Sequence, residues 1–240
     1  LEFRRVLFRS MVGYHKRSDP ATIYAKAEID QLKRTDELGK LRYVRIVMPE
    51  GDWIASGFDD LITTDEPKPA IPSDPAPSDM DAQTFREYTA LVNYYIHQIN
   101  LMRHLLGEDY TVSYADPSGV LMVVQSESGV AGAIEMSPYR TTVDWQEEAL
   151  VAFERGYVKL ELPAPLACNR PGRVTIFRDP GGDTTPETIV PQLPWVHAMK
   201  QQAIHFVRAI KGEATPLCEA AEALRDLEIA RSYIRRLKGQ

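Results

Sequence analysis

His97 is the residue in this chain whose type and setting point most clearly to chemistry. Asn93, His97, Asn100 and His104 fall at i, i+4, i+7 and i+11, which lines them up on one face of a helix. An imidazole titrates near neutral pH and can take, hold or relay a proton. An amide one turn away can orient its ring or accept a hydrogen bond from a substrate. A positioned acid or base of this kind contributes roughly 10²–10⁴-fold to a rate. The competing reading is a polar face that simply meets water. A second candidate pair, Lys16 and Arg17, could meet a carboxylate, a phosphate or the edge of a cofactor, or could be a solvated basic pair ahead of a helix. Trp53 and Trp145 could stack on a sugar ring, but read more naturally as core or interface aromatics.

The element that must hold His97 is the stretch Asp81 to Glu108. Phe85, Tyr88, Val92, Tyr95, Ile96, Ile99, Met102 and Leu106 recur in it at helical spacing, an apolar stripe that anchors one face in a core. Ahead of it, Met11 to Arg17 reads as a short strand. Asp19-Pro20 is an N-cap followed by proline at the first helical position, and that helix is expected to run to about Leu38 and stop at Gly39. Leu41 to Met48 reads as a strand. Residues 63–80 carry Pro67, Pro69, Pro72, Pro75 and Pro77 and read as a surface loop.

Beyond the long helix come strand-like segments at Tyr110–Tyr114, Val120–Ser126, Val130–Ser137, Val143–Phe153, Tyr157–Leu162, Arg173–Arg178 and Glu187–Val190, separated by short turns. Helices over Pro194 to Ile210 and Pro216 to Leu237 close the chain. The order predicts an α+β fold: an open, largely antiparallel or mixed β-sheet with helices packed on one face.

Composition narrows the function classes. With 44% hydrophobic residues in 240, the chain can bury a core. A net charge of −6 argues against a nucleic-acid binder. No stretch approaches a membrane span, Cys168 and Cys218 match no zinc or redox spacing, and the five histidines form no metal signature, so the expectation is a cytoplasmic protein with no metal site. Residues 1–10, LEFRRVLFRS, back-translate without a gap into a common sequencing-library adapter. They are expected to be a non-native leader, with native residues missing ahead of Met11.

Three motifs carry a resemblance. The segment from Met11 to Pro20 (MVGYHKRSDP), the segment Asn93 to Leu101 closing at Leu105-Leu106-Gly107-Glu108, and the tail Phe206-Val207-Arg208-Ala209-Ile210-Lys211-Gly212 before Thr215-Pro216 together resemble the second domain of the Gfo/Idh/MocA oxidoreductases (glucose-fructose oxidoreductase, inositol dehydrogenase and relatives). The resemblance implies the second domain of a two-domain dehydrogenase. The first domain, a Rossmann fold binding NAD or NADP, is absent from these residues; no G-x-G-x-x-G or E-K-P occurs in them. It implies that residues 11–240 bind substrate and mediate homo-oligomerisation through the sheet face, and that the parent oxidises a sugar, cyclitol or related hydroxyl compound. His97 then sits beside the reacting hydroxyl as the catalytic residue, with Asn93, Lys16, Arg17 and Asn100 binding substrate. The family often has Asp where this chain has Asn93, and Asn100 also replaces a usual Asp. An amide cannot supply the charge that favours imidazolium, which leaves open whether His97 is a base or a hydrogen-bond partner. The competing reading is a non-catalytic sugar-binding or dimerisation module.

Overall fold

A computed structural model describes residues 10–59, 61–72 and 75–239. Among them are four α-helices and eight strands: α1 (Pro20–Thr35), β1 (Leu41–Glu50), α2 (Ala82–Leu106), β2 (Tyr110–Ala115), β3 (Leu121–Ser126), β4 (Ala131–Arg140), β5 (Glu147–Phe153), β6 (Gly156–Leu162), β7 (Arg173–Arg178), β8 (Glu187–Ile189), α3 (Ala198–Ile210) and α4 (Ala220–Leu237).

The strands form one sheet in the order β2-β3-β4-β1-β5-β6-β7-β8. The central β1/β4 pair is parallel, and its other pairings are antiparallel. Period-2 burial decides which side faces the helices. In β5, Glu147, Ala149, Val151 and Phe153 point inward while Glu148, Leu150 and Ala152 point out. Helices α1, α2 and α4 cover the inward side, closing a core that includes Ile46, Ile99, Met102, Leu106, Ile134, Leu160 and Ile234. Each fully buried side chain of this size contributes about 1.5–3 kcal/mol relative to exposure. This is the α+β sandwich expected from the order of elements.

The opposite side of the sheet carries a half-exposed ladder of charge. Arg45 meets Glu135 at 2.6 Å and Glu148 at 3.4 Å, and Lys159 meets Glu148 at 2.9 Å. Tyr157 stacks on Phe177 beside it, with ring centroids 5.6 Å apart.

Helix α2 starts where Asp81 accepts from the Thr84 N–H at 2.7 Å and ends at Gly107, whose φ of 72° is a left-handed cap that suits glycine. Its first half runs along the surface. From Gln98 to Arg103 it is buried all round, because the sheet, α4 and the segment before α1 enclose it.

Four expectations need correction. Helices α3 and α4 begin at Ala198 and Ala220, four residues after Pro194 and Pro216, where they were expected to start. Met11 to Arg17 is not a strand: Val12 N–H donates to Cys218 O, and His15–Ser18 forms a 3-10 turn whose four residues are all buried, so no in-out alternation exists there. Helix α1 stops at Thr35, since Asp36 adopts φ 56° and returns its N–H to Leu32 O. The strand expected from Val143 begins at Glu147, leaving Val143 85% exposed. The described residues of the Pro-rich stretch 63–80 are irregular and mostly exposed. It is fastened at its end by Asp79, which pairs with Arg231 and Arg235 of α4, and by buried Met80. Of the expected leader, residues 1–9 lie outside the described residues.

Candidate functional site

His97 is half-buried on α2, with its ring edge-on to His15 (centroids 4.7 Å) and to Tyr14 (5.7 Å). Its Nδ1 is enclosed and has no hydrogen-bond partner. Burial, and then the Lys16 charge, pull this imidazole down to about 3, so it is neutral at physiological pH. Burial, then Lys16 and His97, hold the His15 imidazole well below its ordinary range too. The pair is therefore two uncharged rings against a tyrosine, able to accept or donate a hydrogen bond but reluctant to keep an extra proton.

Beside them lies a buried polar junction. Lys16, 5% exposed, places Nζ 2.5 Å from Oε2 of Glu147, itself 2% exposed. The same carboxylate accepts from Gln98 Nε2 at 2.8 Å and from Trp145 Nε1 at 3.2 Å. Gln98 is the residue after His97, so this junction ties α2 to β5 and to the 3-10 turn at the level of the imidazole. Charges this deep persist only when paired and hydrogen-bonded, as here.

Arg17 and Asn100 meet each other rather than His97. Arg17 Nε donates to Asn100 Oδ1 at 2.7 Å, and Asn100 Nδ2 donates to Asp226 Oδ2 at 2.7 Å. Asp226 also accepts from Arg103 at 2.9 and 3.0 Å, and Arg17 reaches Leu217 O and Glu222. Asn100 must accept on one side and donate on the other, which an aspartate could not do opposite Asp226. This accounts for the amide at that position. The hydrogen-bonding groups of Arg17 and Asn100 are thus engaged within the fold.

Asn93 is exposed and makes no hydrogen bond to His97 among the described residues. Helical spacing puts the two on one face, but that face leaves the body of the protein between them. His104 is directed elsewhere, into a hollow of about 290 Å³ with Arg17, Lys26 and Arg103; burial and then those cations hold it at about 3. Of the sequence-predicted site residues, the fold brings Lys16 to the surroundings of His97, joins Arg17 to Asn100, and leaves Asn93 outside.

Two openings flank the junction. A cleft of about 580 Å³ runs along Trp145, Glu148, Tyr139 and Asp52. A narrow hollow has His15, Lys16, Asp19 and His197 in its wall. They share Leu162, Pro163, Ala164 and Ala167, so the two openings adjoin; His97 packs on His15 and lines neither. Asp19 caps α1 and accepts from the Ala21 and Gly172 N–H groups at 2.8 and 2.9 Å, while its other oxygen is enclosed without a partner. Burial outweighs those hydrogen bonds and raises its carboxyl to about 6. Gly172 must be glycine here, since a Cβ would meet Glu161 O at 2.6 Å.

Glu147, Gln98, Tyr14 and His15 were not singled out from sequence. Glu147 and Lys16 are 131 residues apart, and no local pattern links them. Tyr14 and His15 fall in the MVGYHKRSDP motif and Gln98 in the Asn93–Leu101 motif, but neither motif marks them apart from their neighbours. No cluster of three metal-ligating side chains occurs among the described residues, and none of their helices is long and apolar enough to cross a membrane.

No family model matches the sequence, and no curated protein matches it. Solved structures do. An oxidoreductase from Desulfitobacterium hafniense, described as NADPH-dependent, matches with TM-score 0.65 and 13% identity over 95% of this chain and 62% of its own. An enzyme from Sinorhizobium meliloti described as a myo-inositol dehydrogenase matches with TM-score 0.56 and 19% identity over 95% and 63%. The aldose-aldose oxidoreductase of Caulobacter crescentus, complexed with glycerol, matches with TM-score 0.59 and 17% identity over 98% and 64%. These structural neighbours are Gfo/Idh/MocA-type oxidoreductases, the group that the motifs resemble. At these identities the likeness is one of fold, and this chain spans less than two thirds of each neighbour's length.

Proposed function

We propose that residues 11–240 are the substrate-binding and assembly domain of an NAD(P)-dependent oxidoreductase acting on a sugar, cyclitol or related hydroxyl compound. Residues 1–10 are a non-native leader in this reading, and a dinucleotide-binding domain precedes Met11 in the parent. The observation that carries it is a neutral, half-buried imidazole at His97, held on a rigid helix beside a buried Lys16–Glu147 junction, within a fold shared with sugar and cyclitol oxidoreductases.

NAD or NADP transfers a hydride when bound. The described residues do not fit it as a main site: they contain no Gly-rich turn between a strand and a helix, and the β1/β4 parallel pair is joined through α2 and a hairpin. In this reading cofactor binding falls to a domain outside the described residues.

What this chain supplies is a position for the substrate hydroxyl. His97 accepts a hydrogen bond from it and polarises the O–H bond. With its imidazole held near 3, His97 shares the proton in the transition state rather than storing it. Lys16 fixes the 3-10 turn that carries His15, and Arg17 and Asn100 brace α2 from behind, so these three act as positioning residues. Asn93, on the exposed stretch of α2, is left to meet substrate or the preceding domain. The charged and apolar open sheet face is the surface through which copies assemble.

A second reading has one observation in its favour: among the described residues, no carboxylate hydrogen-bonds to His97. A stand-alone sugar-binding or dimerisation module would need none. The test is to recover the reading frame upstream of Met11 and assay the encoded protein for NAD(P)-dependent oxidation of myo-inositol and aldoses. A Gly-rich βα turn with E-K-P and measurable turnover supports the oxidoreductase; a native start site at Met11 and no turnover supports the module.

A further inference from the structure

Among the described helices, α3 alone is not packed closely on the sheet. It lies against the 3-10 turn His15–Ser18, and only Ala198 and Ala209 of its 13 residues are buried. A helix this short is marginal in water by itself and owes its stability to a packed apolar face. Yet part of its apolar surface is open. Ala203, Ile204, Val207 and Ile210 are exposed, the three larger side chains by 43%, 49% and 53%. At helical spacing these four fall within about 120° around the axis. Just ahead of the N-cap His197, Trp195 is 86% exposed. Lys200 and Lys211 stand at the two ends of this strip, and Arg208 lies along its edge. An apolar centre with a charged rim is the anatomy of a docking surface.

The path of the chain says what covers it. Val12 N–H donates to Cys218 O at 2.9 Å, and a Cβ on Gly13 would stand 3.6 Å from Nε2 of Gln202, in the first half of α3. Ser10 is exposed and three residues before Gly13, no more than about 11 Å of extended chain away. Whatever precedes Met11 is thus tethered beside α3. A domain on so short a tether meets the strip at an effective concentration on the order of millimolar. A second copy meets it only at its own concentration. In the solved neighbours, more than a third of the chain lies outside the part that this chain matches, room for a domain of ordinary size.

We infer that the outward face of α3 is the seat of the domain that precedes Met11 in the parent. The surface that meets it has an apolar centre for Ile204, Val207 and Ile210 and acidic groups at its rim for Lys200 and Lys211. Domain docking and assembly of copies then use different surfaces, one on α3 and one on the open sheet. The docked domain is linked to the surroundings of His97 by two packed contacts, α3 on the His15–Ser18 turn and His15 on His97. This rests on the proposed reading that a dinucleotide-binding domain precedes Met11.

The experiment is hydrogen exchange of α3 in this chain and in the recovered full-length parent. Amides of residues 200–211 should exchange at least roughly tenfold more slowly in the parent, because opening α3 there also breaks the docked surface. Ile204→Glu with Val207→Glu in the parent should return those amides to the rate they have in this chain. The new carboxylates fall four residues from Lys200, Arg208 and Lys211, so they support the helix while charging its apolar strip. This chain carrying both should keep its thermal midpoint. Ile204→Leu with Val207→Ile keeps the strip apolar and should retain the parent's protection within a few-fold. Equal exchange of α3 in the two proteins, or full protection in the Glu variant of the parent, would overturn the seat. So would dissociation of an oligomer of this chain by the same Glu pair, which assigns the strip to a second copy. Protection of α3 by a preceding domain that gives no NAD(P)-dependent turnover would sink the oxidoreductase reading and leave the seat standing; turnover by a parent whose α3 is unprotected would do the reverse.

Discussion

Lys16 Nζ and Glu147 Oε2 are 2.5 Å apart, in side chains 6% and 0% exposed. One belongs to the 3-10 turn before α1 and the other to the first residue of β5, so the pair clamps the chain's opening segment onto the sheet beside α2. A buried pair of this kind adds less than its Coulomb energy suggests, but breaking it strands a charge.

Glu147→Leu or Lys16→Met alone should therefore lower stability by about 3–5 kcal/mol, whereas Lys16→Met with Glu147→Leu should recover much of that loss. Urea unfolding of the four proteins checks this. Additive losses in the double variant would contradict the pairing.

Asn100→Asp should destabilise although it restores a carboxylate. It removes the donor to Asp226 and sets two acids 2.7 Å apart. The expected cost is about 1–3 kcal/mol, visible as a drop of roughly 2–4 °C per kcal/mol in Tm for a domain of this size. Asn100→Asp with Asp226→Asn exchanges acceptor and donor and should restore part of it. A neutral or stabilising single variant would show that Asn100 does not bridge Arg17 and Asp226.

Stability should fall as pH drops below about 6.5. His15, His97 and His104 have folded values far below the unfolded value near 6.5, so the unfolded chain binds the extra protons between about 6.5 and 3. The stabilisation is present above 6.5 and is lost through that window, with a slope of about 1.4 kcal/mol per pH unit for each proton. Asp19 works the other way, because its raised folded value makes stability decline as pH rises from about 4 to 6. Three histidines outweigh one aspartate. Thermal unfolding from pH 7.5 to 4.5 should show the net decline, and His15→Asn should flatten it. A flat wild-type profile would contradict neutral buried imidazoles.

The open sheet face should hold copies together. Light scattering of this chain should give a dimer or larger species, and Leu150→Glu, placed in the outward row between Arg45 and Lys159, should shift it toward monomer. A monodisperse monomer at high concentration would contradict assembly through this face.

The long helix was legible because its signals are local: Asp81 and Gly107 at its ends and an apolar stripe between them. The strands were legible from alternation and turn residues, and β7 has the bounds that pattern implies. The opening segment was not. Lys16, Arg17 and Ser18 are buried against elements distant in sequence, and their pairing removes the alternation that marks a strand. His97 could be singled out from spacing, but not its contact with His15 or the Glu147 junction. Helical spacing also overstated Asn93, since it reports direction around an axis and not where along the helix the protein body begins.

In the proposed function, His97 stands beside the reacting hydroxyl. Its most direct test is steady-state kinetics of the full-length parent carrying His97→Ala, with NAD(P) affinity measured alongside. kcat should fall roughly 10²–10⁴-fold with cofactor affinity unchanged. Equal losses in both, or turnover unaffected, would contradict it.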